Sequence, residues 1–131
     1  MRIRTSIWIE DEDGQVVYGL GRQRILVAIR ETGSIKAAAA ELNMSYRGLW
    51  ARLRHSERRL GFSLVDSKPG RGKSGGTTLT PEANELLDRY QRVLNEVYSA
   101  SEAVFTKSLS GLFRKHESDK PGSQRHDASA S

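Results

Sequence analysis

The chain has 131 residues, 21 Lys and Arg against 16 Asp and Glu for a formal net charge of +5, and no cysteine. That length fits one domain with a tail and excludes a large two-domain enzyme, and the missing cysteines exclude disulfides, thiolate metal sites and cysteine nucleophiles. No apolar run approaches the roughly 18 residues of a membrane span and Met1-Arg2-Ile3-Arg4 leads into polar sequence without an apolar signal core, so the expectation is a soluble, cytoplasmic protein.

In chain order, Ile3, Thr5, Ile7 and Ile9 fall on alternate positions, which predicts a half-buried strand over 2–10. Asp13-Gly14 suits a tight turn, and Gln15–Tyr18 returns as a second strand, giving a hairpin over 2–18. Gly21 precedes a helical pattern with Ile25, Leu26 and Ile29 inside and Arg22, Arg24, Arg30 and Glu31 outside. Gly33 stops that helix. Ser34 caps the next, Ile35–Leu42, whose four alanines Ala37–Ala40 favour helix and let another helix cross closely. After the break Asn43-Met44-Ser45, with Ser45 as cap, a helix is predicted over Tyr46–Leu60, ending at Gly61. Leu49, Leu53, Ser56 and Leu60 share one face of it; Arg47, Ala51, Arg54 and Arg58 lie nearly opposite. Leu64-Val65 begins a short strand, the loop KPGRGKSGG spans 68–76, and Thr77–Leu79 returns, a second hairpin over 64–79. Thr80-Pro81 opens a long helix over 81–105, with Ala83, Leu87, Tyr90, Leu94, Val97, Ser101 and Val104 in one stripe. Residues 107–131 read as a disordered polar tail, a short helix over Leu109–Arg114 being the open alternative.

The charge is uneven along this order. Residues 45–75 hold eight Lys and Arg against two acids, net +6, whereas 1–14 are net −2 and 76–104 net −3. One segment thus carries more than the whole excess, and a local basic patch points to a polyanion more strongly than a high pI does. The same segment follows Ile35–Leu42, so residues 34–60 read as helix, short turn, helix. Ala39, Leu42, Met44, Leu49 and Leu53 take the inward positions, and the arginine stripe separates this pair from an ordinary helical hairpin. The basic hairpin behind it completes a winged helix, in which Lys68, Arg71 and Lys73 neutralise phosphate. Tyr46 is a contact candidate; Trp50 reads as partial core, with stacking on DNA as its alternative.

Other chemistry finds little support. Gly70, Gly72 and Gly75 match G-x-G-x-x-G, and Gly72-Lys73-Ser74 imitates the end of a phosphate-binding loop, but a strand-like Thr77-Thr78-Leu79 follows where either site needs a helix. His55 lies in the basic helix, and His116 and His126 in the tail. Asp11, Glu12 and Asp13 suit an acidic turn better than a metal site. No catalytic set, metal site or cofactor is expected.

Gly33-Ser34-Ile35, Ala37–Ala39, Met44-Ser45-Tyr46-Arg47 with Trp50, Leu60-Gly61, Leu64-Val65, the glycine-rich loop and Leu79-Thr80-Pro81 together resemble the N-terminal DNA-binding domain of ModE-type molybdate-responsive regulators. That domain is related to the winged helix of LysR-type regulators, and the resemblance covers about residues 2–104. It implies a homodimer formed through the first and last helices that reads a palindromic operator. The family's molybdate-binding module is a separate β-rich unit, and the polar residues after 105 offer nothing to build one, so molybdate or other oxyanion binding is not expected of this chain.

The expectation is therefore a mainly α protein with small β, a winged helix-turn-helix over 1–106 with a long C-terminal dimerisation helix. Its function is prokaryotic transcription regulation by sequence-specific binding of double-stranded DNA. Ser34, Ser45, Tyr46, Arg47, Trp50, Ala51, Arg54, Arg58, Lys68, Arg71 and Lys73 are the DNA-facing candidates. Ile25, Ile29, Leu87, Tyr90, Leu94, Val97 and Val104 are the dimer candidates. The alternatives are a protein-interaction module on the same fold and a non-specific, nucleoid-type DNA-binding protein.

Overall fold

The structure, a computed structural model, describes residues 1–68 and 76–117, with Lys68 and 114–117 described by their backbone alone. It is mainly helical with two small hairpins. The order is β1 (Trp8–Glu10), β2 (Val16–Gly19), α1 (Leu20–Thr32), α2 (Ile35–Glu41), α3 (Tyr46–Leu60), β3 (Val65–Lys68), β4 (Gly76–Leu79), α4 (Pro81–Ser108) and α5 (Ser110–Glu117). Two compact units result: Ser6–Asn95, and Met1–Thr5 with Glu96 onward.

Within Ser6–Asn95, β1 and β2 pair antiparallel, with Ile9 opposite Tyr18 and Glu10 opposite Val16, so a bulge leaves Val17 without a partner in the ladder. The first strand is shorter than the alternation predicts. Only 8–10 are strand, and Ile3 and Ile9 are exposed rather than half-buried. The reversal is also wider than a two-residue turn. The Asp11 carboxylate accepts from the N–H groups of Asp13 and Gln15 at 2.9 and 3.0 Å, and Gly14 supplies the positive φ of 80°. The ladder stops at Trp8 because its partner Gly19 is followed at once by α1.

Helix α1 starts at Leu20, so Gly21 lies inside it rather than before it; Gly33 ends it in the left-handed conformation. Ser34 caps α2 by accepting from the Ala37 N–H at 3.0 Å, and Ser45 caps α3 by accepting from Gly48 at 2.9 Å. The intervening turn passes through Asn43 at φ 60°, a conformation asparagine tolerates better than most residues. Ala38 and Ala39 are buried at the helix crossing. Thr80 caps α4 by accepting from the Ala83 N–H at 3.1 Å and donates to the Ser63 carbonyl at 2.8 Å.

The core joins Tyr18, Ile25, Leu26, Ile29, Leu49, Leu53 and Leu64 to Ala83, Leu87, Tyr90 and Leu94 of α4. Each fully buried leucine or isoleucine contributes about 1.5–3 kcal/mol relative to exposure. Its polar atoms are matched. Tyr18 donates to the Gln23 side-chain oxygen, Gln23 donates to the Leu87 carbonyl at 3.0 Å, and Tyr90 donates to the Ile7 carbonyl at 2.6 Å. Burial and the neighbouring Tyr90 push the Tyr18 phenol's pKa well up.

Strands β3 and β4 pair from Val65 opposite Leu79 to Lys68 opposite Gly76. The hairpin is tied to the α1–α2 turn, where the Thr77 N–H donates to the Gly33 carbonyl at 3.0 Å. A Cβ on Gly76 would stand 2.7 Å from that oxygen, so this position requires glycine. In the second unit, residues 107–117, expected as the start of a disordered tail, are largely helical. Phe113 of α5 stacks on Phe105 at 6.0 Å, and Ser110 donates to the Thr106 carbonyl at 2.6 Å. This apolar pairing across the α4–α5 break outweighs the polar composition around it.

Candidate nucleic-acid interface

Helix α3 is seated on the core by Leu49, Leu53 and Ser56, all fully buried. Because its inner face is committed, its outer face is determined too. Arg47, Ala51, Arg54 and Arg58 are all exposed along it, as is Tyr46 at its start. The helical period that buries Leu49 and Leu53 turns these residues outward as one stripe. Trp50 is partly buried against the core, with its ring edge-on to Tyr46 at 6.5 Å. Among the described residues, Arg47 and Arg58 have no acidic partner, so their charge is available to an external anion.

Arg54 is held differently. Its guanidinium lies 4.5 Å from the Trp50 ring centroid, and Nη1 pairs with Glu57 Oε1 at 2.8 Å. Glu57 Oε2 in turn accepts from the Leu64 N–H at 2.7 Å. On another flank, Arg59 bonds Asp11 at 2.8 Å. The Gln15 N–H first, with Asp13 N–H and Arg59 adding to it, holds the Asp11 carboxyl below the usual range. Arg22, expected on the wet face of α1, is half-buried; burial chiefly, and the Arg52 guanidinium secondarily, lower its pKa.

The two serines lie at the N-termini of α2 and α3 with their oxygens engaged as caps; a hydroxyl keeps its hydrogen as a donor in that role. Arg71 and Lys73 lie outside the described residues. Lys68 ends β3, and its side chain lies outside them as well. The dimer candidates divide sharply. Ile25, Ile29, Leu87, Tyr90 and Leu94 are buried in this chain's own core. Val97 and Val104 remain exposed at 38% and 63%. Among the described residues no group of three His, Asp and Glu side chains is placed to hold a metal ion, and no helix is long and apolar enough to cross a membrane. Sequence reasoning did not single out Glu57 as a functional residue. Its i, i+3 spacing from Arg54 was visible, but its bond to Leu64 depends on how the chain folds back after Gly61.

Residues 20–84 match the family of bacterial regulatory helix-turn-helix proteins, lysR family. The chain is 36% identical over 94 residues to the molybdenum-pterin-binding protein MopB of Rhodobacter capsulatus, covering 72% of this chain and 32% of that protein. It is 41% identical over 63 residues to the molybdenum transport protein ModE of Herbaspirillum seropedicae, covering 48% of this chain and 23% of the relative. The match thus spans a third or less of these relatives' length. The crystal structures of the BenM_DBD/benA site 1 DNA complex and the CbnR_DBD-DNA complex share the fold, at TM-scores of 0.51 and 0.50 and identities of 22% and 19%. They cover 70% and 76% of this chain, and 97% of each of those chains. Residues 20–84 are a helix-turn-helix domain of the LysR family of bacterial regulatory proteins.

Proposed function

We propose that this chain regulates transcription by binding a palindromic DNA operator as a homodimer, with α3 in the major groove. The observation that carries this reading is the outward stripe Arg47, Ala51, Arg54 and Arg58 on a helix whose opposite face is locked into the core. A helix of that kind fits the major groove, where an arginine reads guanine through two parallel donors. Tyr46, Arg47, Ala51 and Arg54 take the base edges, with Trp50 supporting them from beneath; Arg58 takes a phosphate. Ser34 and Ser45 donate to backbone phosphates near their helix N-termini. Lys68, Arg71 and Lys73 of the wing neutralise further phosphates or enter the minor groove. Val97 and Val104, exposed on the second half of α4, are the dimer surface, and a symmetric pair places two recognition helices about one DNA turn apart. Two relatives named for molybdenum set the regulated genes to be looked at first, although molybdate sensing is not proposed for this chain.

Titration of duplex DNA at several salt concentrations tests this. Sequence-dependent affinity with a steep salt slope is expected. Arg54→Ala should lower discrimination by roughly tenfold, within the usual worth of an arginine–guanine contact. Equal affinity for all sequences would leave a nucleoid-type protein, and no binding at low salt a protein-interaction module.

A further inference from the structure

The Arg54 guanidinium meets two partners within α3, the Trp50 ring and the Glu57 carboxylate. The Arg54 side chain is 56% exposed, whereas that of Glu57, its partner at 2.8 Å, is only 10% exposed. The two carboxylate oxygens of Glu57 are divided. Oε1 takes Arg54 Nη1, and Oε2 takes the Leu64 N–H at 2.7 Å, directly before β3. The guanidinium plane is backed by the Trp50 ring at 4.5 Å, and Trp50 itself packs against the core. An arginine has five donors in a rigid fork. Committing Nη1 to Glu57 leaves Nε–H and Nη2–H, two parallel donors, for an acceptor outside the protein.

We propose that Glu57 is the positioning residue for base reading: it holds Arg54 against Trp50 with its Nε–Nη2 edge presented outward and ties that orientation to the first strand of the wing. This rests on the DNA-reading face proposed above. The physical reason is conformational entropy. A free arginine loses rotamer freedom when it orders on a ligand, and an arginine already ordered by a carboxylate and an aromatic plane has less to lose. Glu57 touches no DNA in this arrangement. Its contribution is to discrimination between sequences rather than to phosphate attraction, which depends on the number of cations engaged.

The test uses the full chain. A preferred duplex is selected from a random library with the wild-type protein, and a scrambled duplex of equal length serves for comparison. Glu57→Gln keeps an oxygen for the Leu64 N–H and removes the charge that holds Arg54. The preferred duplex should lose roughly tenfold of its advantage over the scrambled duplex, while the removed negative charge strengthens phosphate attraction to both duplexes alike. Adding Glu57→Gln to Arg54→Ala should cost nothing further. Independently of DNA, the Arg54 Nη1 and Nη2 groups should give separate NMR signals in the wild type, where one of them is held by Glu57, and a single averaged signal in Glu57→Gln. Should that variant unfold, Glu57→Asp, which keeps the charge but falls short of both partners, is read in the same way. An unchanged ratio between the two duplexes would overturn the proposal. An averaged Arg54 signal in a wild-type protein that discriminates sequences would overturn the positioning role alone. An ordered Arg54 in a protein without sequence preference would overturn the DNA reading, and the specificity role with it.

Discussion

Ser56 lies on the buried face of α3 and donates to the Val17 carbonyl at 2.6 Å, the residue that the bulge leaves without a ladder partner. One hydroxyl thus satisfies a backbone group orphaned 39 residues earlier and fixes the first hairpin to α3. Ser56→Ala should cost about 1–3 kcal/mol in chemical denaturation, since the buried acceptor is left unmatched. A change below 0.3 kcal/mol, well under that range, would show that water replaces the hydroxyl. Asp11 acts through charge. Its pKa is depressed in the fold, mainly by the Gln15 N–H, so its contribution is complete above its unfolded value of about 3.9 and is lost as pH falls through the lower folded value. Thermal melts between pH 5 and 2 should show this loss, and Asp11→Asn should flatten the acid limb; an unchanged limb would place the acid sensitivity elsewhere.

At the scale of elements, the helix boundaries follow local chemistry. Ser34, Ser45 and Thr80 each accept a backbone N–H at the start of a helix, and Gly33 and Gly61 close α1 and α3 in the left-handed conformation. These positions were readable because capping involves neighbours three residues apart. Ser45→Ala should destabilise the protein by about 1 kcal/mol and loosen the first turn of α3, which carries Tyr46 and Arg47; hydrogen exchange at Gly48 should quicken in step. The strand β1 was less readable. The alternation of Ile3, Thr5, Ile7 and Ile9 is a strand pattern, but the partner strand ends at Gly19, opposite Trp8, where α1 begins, so the ladder stops there. The polar segment after Ser108 likewise hid the Phe105–Phe113 stack, because composition averages over the two rings that decide it.

At the scale of the molecule, the long apolar stripe of α4 serves two ends. Up to Leu94 it fills the core of the Ser6–Asn95 unit; beyond it, Val97 and Val104 stay exposed. If these cover a second copy, sedimentation at micromolar concentration should show a dimer, and Val97→Asp with Val104→Asp should yield a folded monomer that binds single half-sites far more weakly than the wild type binds a palindrome. A double variant that stays dimeric would move the interface to another surface.

The winged helix-turn-helix, its caps and its arginine stripe were all legible in residue order, because each depends on spacings of three or four residues and on a turn that asparagine or glycine must make. The inward and outward faces of α3 followed from the same period. Which apolar residues remain free for a partner did not follow: Ile25, Ile29, Leu87, Tyr90 and Leu94 look the same in sequence whether they meet their own core or another chain. Nor did the chain Trp50–Arg54–Glu57–Leu64, since the backbone N–H that completes it is brought to Glu57 by the turn after Gly61. Local periodicity specifies what a segment becomes, whereas burial and long-range hydrogen bonds depend on how the segments meet.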